Sequence, residues 1–433
     1  MTSPPSISAS AWGQSLLAML GVHTPVAEAF ESAPIADWAR SGAVAITGFP
    51  DRPLLPTGFG ATAARGAMLA LEALVGPLGL QGALLLAERA ALSQWPANAP
   101  WSLGQHCRAV KAHDGYLALS LARAEDVELI AALVSDGHAS TWDSVDAWAA
   151  QRTAREVVDR CRLLGMPAAV VGEVSSRELM RIQSTESPRK RPLAGMRVLD
   201  LSSLWAGPLC GHLLGLAGAR VMRMESAARP DGGREGLPPF DDLLHSDQPS
   251  VIFEPGSLDL LHALVDSSDI VITSARPRGL ASLGLDPQRF LSSREHGVWV
   301  QISAYGSSGP QADWVGFGDD TAMAGGLVRW IDHVPIPVAD ALADPLTGIH
   351  AAAAAAAMTV RGGAHLIDIA LADVAAATHA DQPDNDPYLR DGQWMIETEF
   401  GARPVESPKA RTAPSPARAL GADTALVESW FAN

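Results

Sequence analysis

One aspartate stands out for what surrounds it. Asp344 closes the run Pro335-Ile-Pro-Val-Ala-Asp-Ala-Leu-Ala-Asp344, and Pro345, Leu346, Thr347, Gly348, Ile349, His350, seven alanines and Met358 follow. A carboxylate in such a place can cap a helix, or it can attack an electrophilic carbonyl. Alanine is the best helix former, so the pattern predicts a closely packing helix over 346–359. Pro345 suits its first turn, where a missing N–H costs nothing, and Asp344 is then predicted at the N-cap. Capping alone would account for an Asp-Pro pair. Gly348 and the alanines suggest more, because they clear side chains from the helix start and leave a ligand room to approach. His350 is near, but a lone histidine on a helix is more often structural than catalytic.

Other constellations that carry chemistry are absent. There is no P-loop, no Gly-x-Ser-x-Gly elbow and no His-Glu-x-x-His. Gly215-Leu-Ala-Gly218 is no dinucleotide fingerprint and reads as a helix-packing contact. Cys107, Cys161 and Cys210 match no metal or redox spacing, so no metal site is expected. An odd count of separated thiols suggests a reducing cytoplasm. The formal net charge of -16 argues against nucleic acid or an anionic membrane as a partner, though a local arginine cluster could still hold an anion. No lysine or arginine precedes Arg40, so no signal peptide is read, and no apolar run reaches membrane-spanning length. With 433 residues, 47% hydrophobic and 18% charged, the composition is that of a soluble enzyme of two or more domains.

The elements that must position Asp344 follow from the patterning. Helices are predicted over 11–40, 61–80, 124–134 and 145–164. Two strands within 107–120 join at Asp114-Gly115, and another strand covers 167–172. The polar, basic stretch 175–192 reads as a linker. Beyond it strands (196–201, 219–225, 270–273, 298–303, 365–371) alternate with helices (206–218, 258–267). That alternation predicts a parallel sheet with ligands at the strands' carboxyl ends. Residues 378–387 read as a loop and 404–417 as an extended surface tail. A weak internal echo relates 54–61 to 344–351, with Leu54 in the slot of Asp344.

The second part of the chain resembles family III CoA-transferases, the group of formyl-CoA transferase, carnitine CoA-transferase and α-methylacyl-CoA racemase. The resemblance rests on an ordered set of short motifs. It opens with Pro192-Leu-Ala-Gly-Met-Arg-Val-Leu-Asp-Leu-Ser, Ala206-Gly-Pro and Leu216-Ala-Gly-Ala-Arg-Val-Met-Arg-Met-Glu225. It continues through Asp269-Ile-Val-Ile-Thr-Ser-Ala-Arg276-Pro277, Gln301-Ile-Ser-Ala-Tyr305-Gly306 and Gly316-Phe-Gly, then Ala343-Asp344 with Gly348, and ends at Leu420-Gly-Ala-Asp-Thr. Asp114-Gly-Tyr and residues 148–171 resemble the family's smaller domain, which normally follows the nucleophile. The halves therefore look reordered, with 1–185 as a small-domain-like part and 186–433 as the large part.

The resemblance implies an α/β fold with a Rossmann-like parallel sheet, a homodimer, and CoA exchange between an acyl-CoA and a small carboxylic acid. CoA itself is the carrier, and no other cofactor is implied. It assigns Asp344 as nucleophile, with the helix N-terminus offering N–H donors and a favourable dipole. It suggests Arg223, Arg229, Arg276, Tyr305 and Gly306 as CoA contacts. The departures are specific. Trp205 stands where formyl-CoA transferase has glutamine. His245-Ser-Asp-Gln-Pro-Ser replaces a basic run, and Phe317 replaces the histidine of the racemase branch. An acyl-CoA racemase and a degenerate, non-catalytic CoA-binding subunit are the alternatives.

Overall fold

The computed structural model describes residues 7–427 apart from 176–177, 186, 188–189 and 382–384. Its centre is a seven-stranded sheet in the order Arg181–Ser184, Ala364–Ala370, Gly297–Ser303, Ile270–Thr273, Arg197–Leu201, Arg220–Ser226, Ser250–Phe253. All neighbours run parallel except the edge strand Arg181–Ser184. Strands such as Ile270–Thr273 are buried along their whole length, as a sheet covered on both faces requires. The chain builds outward from Arg197–Leu201 to one edge, then returns to build the other side from Ile270–Thr273. The reversal falls between those two strands, and open α/β sheets collect ligands at the carboxyl ends beside such a reversal.

The helix Ala343–Arg361 is the hub of the core, and every residue from Pro345 to Thr359 is buried. It lies against the helices Ala206–Leu216 and Gly60–Val75 and the strands Gly297–Ser303 and Ala364–Ala370. Its small side chains allow this approach. A Cβ on Gly348 would meet Ala206 O at 2.6 Å and Leu209 Cβ at 3.1 Å. Gly348 therefore serves helix packing, not the open approach for a ligand that the sequence suggested.

The first hundred residues, grouped by sequence with the small-domain-like part, pack into this same core. Leu16, Leu17, Leu71 and Leu86 share it with Leu346 and Ile349. The helices Ala9–Met19 and Gly60–Val75 cross at Gly13 and Gly66, where a Cβ on either would come within 2.5 Å of the other segment's backbone. The two segments of the internal echo thus start helices that touch. A second core is built by the antiparallel strands Cys107–Lys111, Tyr116–Ser120 and Ala168–Val170 with the helices Trp142–Ala149 and Ala154–Leu164.

Several expected elements divide differently. The helix predicted over 145–164 breaks before Thr153, because Thr153 and Glu156 form a capping box that starts a new helix: Thr153 Oγ1 accepts from Glu156 N at 3.2 Å and Glu156 Oε2 accepts from Thr153 N at 2.8 Å. The 11–40 stretch is two helices, Ala9–Met19 and Pro34–Ser41, and the supposed linker contributes the edge strand Arg181–Ser184. The helix Pro238–His245, the strand Ser250–Phe253 and the small sheet of Tyr388–Arg390, Gln393–Thr398 and Gly401–Pro404 were not foreseen. The tail is extended but anchored, with Arg411 paired to Glu88 and Asp423 Oδ2 accepting from Ser250 N. All three cysteines are buried and unpaired. Among the described residues no helix is long and apolar enough to cross a membrane.

Candidate active site

The first turn of the central helix presents Asp344. The helix begins two residues earlier than expected, with Leu342 at the N-cap, so Asp344 is a first-turn residue and no capping side chain. Its carboxylate accepts the Gly318 N–H. A Cβ on Gly318 would lie 2.4 Å from Asp344 Oδ2 and 2.3 Å from Ala341 O, so only glycine fits there. The Asp344 N–H already donates to Ala341 O at 2.8 Å, and Pro345 has no N–H. The helix start therefore offers fewer free donors than an ideal N-terminus.

The segment entering the helix is strained. Ala339 and Ala341 have φ of 57° and 43°, left-handed values that cost a residue with a β-carbon on the order of 1–3 kcal/mol. Side-chain acceptors hold both: Thr47 Oγ1 takes Ala339 N at 2.8 Å and Asp319 Oδ1 takes Ala341 N at 3.0 Å. Between them, the fully buried Asp340 side chain forms a bidentate pair with Arg89, the Nε–Oδ2 distance being 2.9 Å. The Arg89 guanidinium lies over the Trp205 ring, 4.9 Å from its centroid, with Trp95 at 6.0 Å. Trp205, the departure noted in the sequence, is thus the platform for a cation.

The result is a cluster of carboxyls around one arginine. Asp344 keeps some solvent exposure, yet burial is the main force on it and pushes its carboxyl up to about 7. Arg89 opposes that shift, while Asp319 and Asp340 add to it. Burial, then Asp340, raises Asp319 to about 6. Asp320 rises to about 7, again mainly through burial, although Ser120 Oγ donates to it at 2.8 Å and Phe317 N at 3.0 Å. Near neutral pH, Asp344 therefore exchanges readily between acid and carboxylate, as a carboxyl that must be both sheltered and reactive would. The charged groups that act on it most are Arg89, Asp319 and Asp340. His350 bonds Leu346 O and Trp12 Nε1, and burial holds it near 4, so it is structural.

The expected CoA contacts separate. Arg223 is 1% exposed and meets Glu225, Asp231 and Asp241 at 3.2, 2.7 and 3.0 Å. Three carboxylates hold its guanidinium inside the protein, so it has no access to a phosphate; the expectation fails because strand residue 223 points into the core. It also fills the cluster of Asp231, Asp241 and His245, the group among the described residues that could otherwise hold a metal ion. Arg229 is exposed and Arg276 half-buried. Burial lowers Arg276, and Arg278 lowers it further; Asp313 opposes them, and Arg123 and Arg229 add smaller effects, so arginines from three segments share one field. Tyr305 is buried against Trp314 and packs with Ala169 and Ala324 between the two cores. Gly306 has φ 100°, and its N–H donates to Ser303 Oγ.

Arg89 was missed from sequence. A signal existed, since Glu88-Arg89 interrupts the apolar run 82–92, and charges in such a run need partners. Both have them: Glu88 holds Arg411, and Arg89 holds Asp340. A cavity of about 650 Å³ exists elsewhere, at the strands' amino ends, lined by His212, Arg220, Gln248 and Arg411 among others and sharing no residue with the Asp344 cluster.

Residues 193–404 match the sequence model of CoA-transferase family III. A succinate–glutarate CoA-transferase of Agrobacterium fabrum is 30% identical over 236 residues, covering 49% of this chain and 58% of that one. A succinyl-CoA–D-citramalate CoA-transferase of Chloroflexus aurantiacus is 29% identical over 175 residues, covering 37% and 44%. The chain thus spans only about half the length of these curated relatives. A solved CAIB/BAIF family protein from Brucella suis aligns with a TM-score of 0.42 at 23% identity, over 49% of this chain and 65% of its own.

Proposed function

We propose, from the match of residues 193–404 to CoA-transferase family III, that the protein moves CoA between an acyl-CoA and a small carboxylic acid, with Asp344 as nucleophile. The observation that carries this reading is the setting of the Asp344 carboxyl: at the carboxyl side of a parallel sheet, against a glycine that leaves it room, and poised near neutrality beside Arg89. One Asp344 oxygen attacks the thioester carbonyl, the C–S bond breaks, and the CoA thiolate leaves an acyl-aspartyl anhydride. The thiolate attacks the Asp344 carbonyl, releasing the donor's carboxylate and forming an aspartyl-CoA thioester. The acceptor carboxylate repeats the sequence in reverse and carries CoA away. The partial burial of the helix start limits the water that would hydrolyse the anhydride.

The field shared by Arg276, Arg278, Arg229 and Arg123 suits the phosphates of CoA, with Arg276 as the principal contact. A homodimer in the cytoplasm belongs to the same reading. The confinement of Arg223 in the core favours, as a second reading, a subunit that binds CoA without turnover. Racemisation loses ground because Phe317 stands where the racemase branch has its histidine, which leaves that acid/base partner out. The test is incubation with a labelled acyl-CoA, trapping by hydroxylamine or borohydride, and peptide mass spectrometry. Label on the peptide containing Asp344 supports the transferase. Label elsewhere, or α-proton washout with no adduct, refutes it.

A further inference from the structure

Arg89 is built into the site in an unusual way. Nε and Nη2 are both committed to Asp340, whose side chain is wholly buried. Two indoles flank the guanidinium plane, Trp205 and Trp95. Among the described residues Nη1 has no hydrogen-bond partner, and the Arg89 side chain is 25% exposed. One edge of the planar fork is therefore locked on Asp340, which lies four residues before Asp344, and Nη1 is left uncommitted on a partly exposed side chain. An arginine needed only to neutralise Asp340 would not require an open edge. Of the charged groups around Asp344, Arg89 exerts the largest influence.

From this we infer that Arg89 binds the reacting carboxylate of the acceptor acid, an inference that rests on the transferase reading above. The charge balance over the reaction sets the order. In the free protein Asp340, Asp319 and Asp344 all act on Arg89, and a further carboxylate entering would be repelled. Once Asp344 carries CoA as a thioester it is neutral, and Arg89 has lost one of its anions. The acceptor carboxylate then restores that charge at the open Nη1 edge. From there its oxygen attacks the Asp344 thioester carbonyl. The C–S bond breaks, CoA leaves as thiolate, and a mixed anhydride forms; thiolate attack on the acceptor's carbonyl then frees the Asp344 carboxylate. Donor loading precedes acceptor binding, and the acceptor is an anion, not an alcohol or amine.

The experiment compares the parent, Arg89→Lys, and the double variant Arg89→Gln/Asp340→Asn, which removes one positive and one negative charge together. Each is first incubated with succinyl-CoA and a panel of other short acyl-CoAs, and the Asp344 adduct is measured by mass spectrometry. Glutarate and other short acids are then added and the acceptor KM is read. The acceptor step is expected to fall about tenfold further than the donor step in Arg89→Lys, and more in the double variant, as loss of a charge-assisted bond implies. Adduct formation with an unchanged acceptor KM overturns the proposal and leaves the nucleophile standing. An equal decline of both steps together with a lowered melting temperature assigns Arg89 a structural role and also overturns it. Absence of any adduct in the parent defeats the transferase reading and the proposal with it.

Discussion

Replacing Asp344 with asparagine separates the two things a carboxylate can do at this helix start. The amide oxygen still accepts the Gly318 N–H, and the fit against Gly318 is unchanged because the side chains are isosteric. What disappears is the titrating charge. Burial lifts the Asp344 carboxyl from its ordinary 3.8 up to about 7, so the folded chain favours the protonated form. That contribution to stability is complete below about pH 4 and is lost as pH rises through about 7. Over the whole window it is worth on the order of 4 kcal/mol, and the partial exposure of Asp344 reduces the measurable part to about 1–2 kcal/mol. Denaturant melts of both proteins at a series of pH values should show the parent losing this much relative to Asp344→Asn between about pH 4 and pH 8. CoA transfer by the variant should vanish, since an amide cannot form the anhydride, while CoA binding persists. Donor loading in the parent should rise with pH through about 7 as the nucleophile ionises. Transfer by Asp344→Asn near the parent's rate would refute the nucleophile. A stability difference that does not change with pH would refute the account of the buried carboxyl.

Three further outcomes are expected. Arg276→Ala should weaken CoA binding by roughly 1–3 kcal/mol in calorimetry, with a smaller salt dependence than the parent; an unchanged dissociation constant would remove Arg276 from the site. Arg223→Met should destabilise the fold by about 3–5 kcal/mol, because it leaves Asp231 and Asp241 in the core without their cation while Glu225 keeps Arg234, and a soluble protein with normal stability but weakened CoA binding would reverse the assignment. Residues 1–185 expressed alone should give an aggregated or molten product, since the helix Gly60–Val75 buries its face against Ala343–Arg361; a cooperative melt would show that they fold independently.

Much of the large part was legible because parallel strands buried on both faces read as short apolar runs bounded by turns. Ile270–Thr273 and Arg197–Leu201 are of that kind. The same rule failed for Ser250–Phe253, four residues without flanking apolar context, and for the polar strand Arg181–Ser184, whose pairing with Ala364–Ala370 is long-range. Helix lengths were overestimated where a cap interrupted a continuous periodicity, as at Thr153.

In the site, residue identity already marked Asp344: a carboxylate at the head of an alanine helix, in an ordered run of family motifs. The sequence also set the smallness of that helix, which decides how closely it can pack. It could not decide which charges meet. Arg89 lies 255 positions before Asp344 and reaches it only because the N-terminal helices fold into the same core as the central helix. Likewise Arg223 and Arg276 are indistinguishable as letters, and only the direction each side chain takes, inward among carboxylates or outward among other arginines, separates a core ion network from a candidate phosphate contact. Electrostatic roles depend on distances across the fold and on solvent access, and neither is local in sequence.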